Sequence, residues 1–512
     1  MNCCKSLVWM AMTAVAVLVW LPAWPAGAED WPTVQHDNTR RGYTPVEVRP
    51  TDYDGKEPKY KLKWAYDFKS FIEQYAQPVI VEGRIFLGAQ DGKLRAIDAE
   101  TGKDMWAFPT GGPIMNSAAV AGGKVFFGSH DGNIYCLSAS DGKELWRFAT
   151  GAGVWTAPCV DDGVVYMGSR DGVFYAIDVA TGKSRWTRDC GSPIRQTAAC
   201  DKEFVFFGPD NMTATCLRKS DGQVVWQKKV SGDRFYPYWP VVYEDVTIWT
   251  TQTPGLIKEV WEHANQNVAK DKPIVQALVD YYQKFPQRRM THALDRKTGE
   301  VKYILPICRM VGNEGTITPP AISPAGDAFF ITYLKGKTAA GMTDRYVSQG
   351  GLDQCQLARF GLAGGYDFMD PKDSEGVADG FYASNKAPQN VRGKTVDHLN
   401  WCSDETCVVS MMGNMVLTNH QSRAAVVDLN TNRSYVVAWT EPDRPEYKLL
   451  QFYAAEHNGP VKSPMAVAGN KIFLTWHVQF LVAVEGVETK PATQPAGDSA
   501  VTTQPVQSGG AK

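Results

Sequence analysis

A block of about forty residues recurs four times in tandem, and that period constrains the fold more than any other feature of the chain. The first copy runs through Gly88, Asp91-Gly92, Ala96, Asp98 and Thr101-Gly102-Lys103 to Trp106. The second carries Gly128, Asp131-Gly132, Asp141-Gly142-Lys143 and Trp146. The third has Gly168, Asp171-Gly172, Asp178, Thr181-Gly182-Lys183 and Trp186, and the fourth Gly208, Asp210-Asn211, Asp221-Gly222 and Trp226. A unit of this size cannot bury its own faces, so it must stack on its neighbours.

Each block divides into four short strands. In the second, Ala118 to Val120 begins one strand and Lys124 to Gly128 another. Asp131-Gly132 supplies the positive φ of a tight hairpin. Ile134 to Ser138 and Glu144 to Phe148 follow, divided by Asp141-Gly142. Four antiparallel strands per repeat around an axis make a propeller blade. Further repeats follow with weaker signals. A fifth is split between Val246–Thr250 and His292–Asp295, with Tyr303 in the Trp position. A sixth starts at Thr318 and has its third strand near Leu357 to Phe360. A seventh runs from Val408 to Asp428, and an eighth from Ser463 to Glu485 lacks an outer strand. The segment Lys61–Phe68, with Trp64, resembles the missing strand. Its return to the last blade would remove two open sheet edges. The expectation is an all-β propeller of eight four-stranded blades, with seven as the alternative.

The string Ala96-x-Asp98-x-x-Thr101-Gly102-Lys103-x-x-Trp106, repeated over Ala176–Trp186 and in part over Ser138–Trp146, resembles the pyrroloquinoline-quinone-like (PQQ-like) β-propeller repeat. The opening Asp30-Trp31-Pro32-Thr33-Val34-Gln35-His36-Asp37, with Gly42, is similar to the start of such domains. The resemblance implies that Trp64, Trp106, Trp146, Trp186 and Trp226 dock neighbouring blades. It covers quinoprotein dehydrogenases, which bind PQQ and calcium, and cofactor-free members such as the propeller subunit of the outer-membrane barrel assembly machine. The dehydrogenases carry adjacent cysteines beside the cofactor, whereas the adjacent pair here is Cys3-Cys4 at the N-terminus. The chain therefore reads closer to the cofactor-free members, and no cofactor is expected. PQQ with calcium belongs to the alternative reading.

Residues 1–28 read as a signal peptide: Lys5, an apolar run from Leu7 to Trp20, and a small-residue site ending at Ala28. A periplasmic or secreted protein with no transmembrane segment in its mature part is expected. Of 53 basic and 55 acidic residues only Lys5 falls in the leader, so the mature charge is 52 − 55 = −3. That balance excludes nucleic acid as a partner. Residues 29–60 read as an extension packed on the propeller of 61–487, and the Pro-, Thr- and Gln-rich 488–512 as a disordered tail. Cys136 and Cys216 read as small core residues, and Cys402 with Cys407 as the best-placed local pair. The insertion 252–287 has two apolar stripes at helical spacing, Leu256 to Ala264 and Ile274 to Phe285.

In a propeller the connections from strand two to three, and from strand four to the next blade, share one face. The insertion, a Gly-rich stretch from Leu334 to Asp353 and the connection Gly361–Asn400 all fall there, and long loops carry function. Repeat alignment places Tyr75, Met115, Trp155 and Arg195 at one level of the axial entrance. Asn116, Thr156, Gln196 and Lys462 lie one step inward. Loops add Asn313, Glu314, His398, Asn400, Glu456, His457 and Asn458. The ligand-binding candidates are Tyr75, Asn116, Trp155, Arg195, Gln196, Glu314, His398 and His457. Glu314, His398 and His457 have acid, base or metal-ligand chemistry, but no catalytic set is recognisable. A non-catalytic binding or scaffold propeller is the leading expectation; its partner would be a protein, a small molecule or a carbohydrate on this face. A quinoprotein oxidoreductase and a carbohydrate-binding or -cleaving propeller, the latter from Trp155, Tyr236, Tyr238 and Trp239, are the alternatives.

 A monomer is expected.

Overall fold

The computed structural model describes residues 29–489 apart from 54–57, 236–237, 253–273, 306, 308–317, 334–354, 363–380, 383–407, 421–422, 430–432, 437, 441–463 and 477–478. The architecture is all-β. Seven blades are each built from four consecutive antiparallel strands, and the two ends of the chain close one further sheet. Blade 1 comprises Val79–Val81, Arg84–Gly88, Lys93–Asp98 and Asp104–Pro109. Blades 2, 3 and 4 repeat it, starting at Ala119–Ala121, Cys159–Asp161 and Ala199–Cys200. Blade 5 begins at Val241–Tyr243, blade 6 at Ala321–Ile322 and blade 7 at Val409–Met412. In the closing sheet, Phe480–Glu485 pairs antiparallel with Pro58–Asp67, setting Ala483 opposite Trp64. The strand with Trp64 thus supplies the outer strand that the last repeat lacks.

The repeated Trp explains why neighbouring blades hold together. Trp106 donates its indole N–H to the Ala139 carbonyl of the next blade at 3.2 Å. Trp146 does the same to Val179, Trp186 to Lys219 and Trp226 to Arg296, at 3.0, 2.8 and 2.9 Å. Each ring lies on the glycine of that blade's turn between strands three and four. That glycine has a positive φ, and a methyl group on Gly142 would come within 2.6 Å of Trp106. The Asp-Gly or Thr-Gly turn therefore meets two needs at once, a left-handed backbone and a bare surface for the indole. Trp64 repeats the contact on Ala99 and Gly102 of blade 1, so the ring closes with the same joint used inside it.

The extension forms a thread around the inner strands at the lower face, where strands one and two turn. Trp31 exchanges two backbone hydrogen bonds with Ile80 of blade 1, and Val120 of blade 2 donates to Pro32. The Asn38 amide donates to Val160 of blade 3, while Cys200 and Val242 donate to Asn38 and Thr39. Ile322 of blade 6 donates to Arg41, and Met411 of blade 7 to Gly42. The thread thus visits the seven blades in order. Val487–Thr489 then pairs with Glu47–Arg49, so the first two residues of the expected tail, Glu488 and Thr489, are strand. The rest of the tail and the signal segment lie outside the described residues.

Arg40 of the thread is fully buried. It donates to the carbonyls of Ala198, Pro158 and Val34 and to the Thr33 hydroxyl, at 2.7–3.0 Å. Burial pulls its pKa down to about 9, still far above neutrality, so a cation sits in a cage of carbonyl dipoles. A disulfide joins Cys159 and Cys200, linking the inner strands of blades 3 and 4 beside that cage. Cys136 and Cys216 are buried and free. Cys402 and Cys407 lie outside the described residues.

Candidate functional site

The entrance on the upper face is built by a repeated loop. In three successive connections, Ile114, Val154 and Ile194 are buried, and each donates its N–H to residue Ala89, Ser129 or Ser169 of the preceding blade. Their side chains occupy the space over Gly88, Gly128 and Gly168, where a methyl group would approach to 2.2–2.3 Å. His130, Arg170 and Asp210 then donate their N–H groups to Pro113, Gly153 and Pro193 of these loops. The latching is the same each time, so the following residue, Met115, Trp155 or Arg195, emerges at a fixed level.

Trp155 is the centre of this level. The Arg170 guanidinium carbon lies 4.6 Å from its ring centroid and that of Arg195 lies 5.7 Å away. The His130 ring is 5.5 Å from it, and His130 Nε2 is 3.1 Å from an Arg170 nitrogen. Gly153 leaves room for this imidazole, since a methyl group there would come within 2.6 Å of it. Arg195 is neutralised by Asp210, with nitrogen–oxygen distances of 2.8 and 2.6 Å. Arg170 is exposed and has no carboxylate partner among the described residues. Cations over an indole are held by its quadrupole while their N–H groups stay free for an acceptor.

The candidates read from sequence separate by depth. Trp155 and Arg195 stand half-buried at the mouth. Asn116 is 4% exposed and spans three blades, donating to the Trp155 carbonyl at 3.1 Å and the Thr197 hydroxyl at 3.2 Å. Thr156 donates to Gly168. Gln196 is buried with both amide atoms unpaired among the described residues. Tyr75 accepts from Gln74 and meets Tyr238 edge-on, with centroids 5.4 Å apart. Because Tyr75 precedes blade 1 and Tyr238 precedes blade 5, this contact crosses the axis. Together with Val34 of the thread these two residues belong to one buried core. Glu314, His398 and His457 lie outside the described residues, as do Lys462, Asn313, Asn400, Glu456 and Asn458.

The insertion places the helix α1 (Ile274–Lys284) on this face, with Tyr281 and Tyr282 buried. Its first apolar stripe, Leu256 to Ala264, and Tyr236 lie outside the described residues. Sequence reasoning missed His292, which is buried beneath this region. Its Nε2 is 3.2 Å from the Ser231 carbonyl and 3.4 Å from the Ser231 hydroxyl. Burial, with the nearby Arg289 charge, pulls its pKa from 6.5 down to about 4. Its place on a strand otherwise read as core offered only the residue type as a signal.

A ring of four-stranded blades, latched by Trp and closed by its own ends, defines the fold as a β-propeller. Residues 90–305 match the family described as outer membrane protein assembly factor BamB. Over 79 residues it is 32% identical to the dehydrogenase subunit of a quinone-dependent alcohol dehydrogenase from Gluconobacter oxydans (strain 621H). That stretch spans 15% of this chain and only a tenth of the relative's length (10%). Among solved structures, quinohemoprotein alcohol dehydrogenase from Comamonas testosteroni superposes with a TM-score of 0.53 at 14% identity, covering 91% of this chain and 82% of the other. The computationally designed Ika8 protein superposes at 0.50 and 13% identity, covering 85% of this chain and 100% of the other. At these identities the structural likeness speaks for the fold.

Proposed function

We propose that the protein is an exported binding or scaffold propeller whose upper face receives an acidic ligand or an acidic segment of a protein partner. One observation carries this reading: Arg170 lies over the half-exposed Trp155 beside His130, with no carboxylate of its own among the described residues. Aromatic and Arg anchors dominate binding surfaces. Tyr75 and Tyr238 meet edge-on in one buried core with Val34, and this reading puts the ligand at the mouth above them. Export is supported by the Cys159–Cys200 disulfide, since such bonds persist in oxidising compartments. The N-terminal reading places cleavage near Ala28 and the mature protein in the periplasm or outside the cell. Among the described residues no helix is long and apolar enough to cross a membrane.

The experiment is site-specific photocrosslinking in the source cell envelope, with the crosslinker at Arg170 and, as a control, at Lys143. Lys143 has an 81% exposed side chain on an outer turn of blade 2. Intact mass should show a discrete adduct from position 170 that is absent from 143. Equal labelling, or none at 170, would remove the reading.

The relative in Gluconobacter oxydans favours a second reading, a quinoprotein oxidoreductase. Among the described residues, no three His, Cys, Asp or Glu side chains are grouped to hold a metal ion. The Asp210 carboxylate is already paired with Arg195, which lies over Trp155. Retention of PQQ with calcium after desalting is the result that would favour this alternative.

A further inference from the structure

A cavity of about 670 Å³ opens on the lower face, on the far side of the ring from Trp155. The thread supplies Asn38, Thr39 and Arg41 to it, and the turns of blades 3, 4 and 5 supply Asp161, Glu203 and Glu244. Its size suits a small organic molecule.

The lining carries both charges in near balance: the cations Arg41, Lys202 and Arg296 against the carboxylates Asp161, Asp201, Glu203 and Glu244. Several of these are only partly used. Arg296 binds Asp201 through one nitrogen and lies 3.9 Å from Glu203 through another. Arg41 spends Nε and Nη2 on Asp37, leaving Nη1. Lys202 and Glu244 are exposed at the rim.

An anion approaching the Arg296 guanidinium would meet Asp201 and Glu203, and a cation approaching Glu203 would meet Arg296. A hydroxyl group has neither problem. It donates to a carboxylate and accepts from a guanidinium in the same place, and hydrogen bonds to charged partners are the stronger kind. Tyr243 and Pro324 close one side with apolar surface suited to the C–H face of a sugar ring. We propose that this cavity binds a neutral polyhydroxylated ligand of mono- or disaccharide size. It is independent of the upper-face reading.

The test is calorimetric titration of the full chain with a panel of neutral hexoses and disaccharides. At least one should bind saturably, with Trp155→Ala leaving the affinity unchanged and Glu203→Gln with Glu244→Gln lowering it about tenfold. A second measurement needs no substitution: the bound sugar should slow chemical acetylation of Lys202 several-fold and leave Lys143 unaffected. No binding by any neutral sugar, binding undiminished in the double variant, equal Lys202 labelling, or preference for a charged sugar over its neutral parent would each overturn the proposal.

Discussion

Trp64 donates its indole N–H to the Ala99 carbonyl at 3.1 Å, with its ring against Gly102. One residue belongs to the sheet closed by the chain ends, the other to the first blade. Trp64→Ala should therefore destabilise by roughly 3–5 kcal/mol, the usual cost of truncating a buried large aromatic. Gly102→Ala should cost a large part of that, because its methyl group would fall 2.6 Å from the indole at a positive φ. Gly122→Ala is the control: its φ is also positive, but nothing lies within 4 Å, so only backbone strain of about 1–2 kcal/mol is expected. Chemical denaturation of the three variants checks the order; equal losses at Gly102 and Gly122 would contradict the joint.

The Cys159–Cys200 bridge closes a loop with a sequence separation of 41 residues. Reduction, or Cys159→Ser with Cys200→Ser, should lower stability by about 2–4 kcal/mol. Melting with and without reductant should show the loss in the parent and in Cys136→Ser, but no reductant dependence in the double variant.

His292 binds its proton in the folded state only near pH 4, whereas the unfolded chain takes one up near 6.5. Between those values the unfolded state holds more protons, so stability must fall as the pH drops through this window. The contribution is roughly 3 kcal/mol at most. Above pH 6.5 it vanishes. His292→Gln should flatten the acid side of the stability profile relative to the parent; parallel profiles from pH 7 to 4 would show that the imidazole is not buried neutral.

Much of the architecture was legible because the repeat writes its own joints. The Asp-Gly turns, the Trp of each fourth strand, and the Trp64 segment standing in for a missing outer strand all have residue types dictated by local geometry. The path of the thread was not legible. It binds the inner strands through its backbone, from Trp31 to Gly42, and turns at Gln35, His36 and Arg40 with positive φ despite their side chains. Neither habit leaves a hydrophobic period. The disulfide had a signal that spacing alone hides: Cys159 and Cys200 fall on inner strands of adjacent repeats. At the mouth, alignment placed Trp155 and Arg195 at one level, but it could not show that Arg170 and His130, from other loops, join them.

On the upper face, Trp155→Ala and Arg170→Gln should each weaken capture of the Arg170-face partner about tenfold while leaving the melting temperature near that of the parent, since Arg170 is exposed and Trp155 is only half-buried at the mouth. A large loss of stability in either variant would mean the cluster serves packing instead.

The most direct measurement of the central claim is reconstitution. Purified protein is mixed with PQQ and calcium, desalted, and assayed for the quinone absorbance and for alcohol oxidation with an added electron acceptor. We expect neither retained chromophore nor turnover. Stoichiometric quinone retention with turnover, lost in Trp155→Ala, would contradict the binding-propeller account.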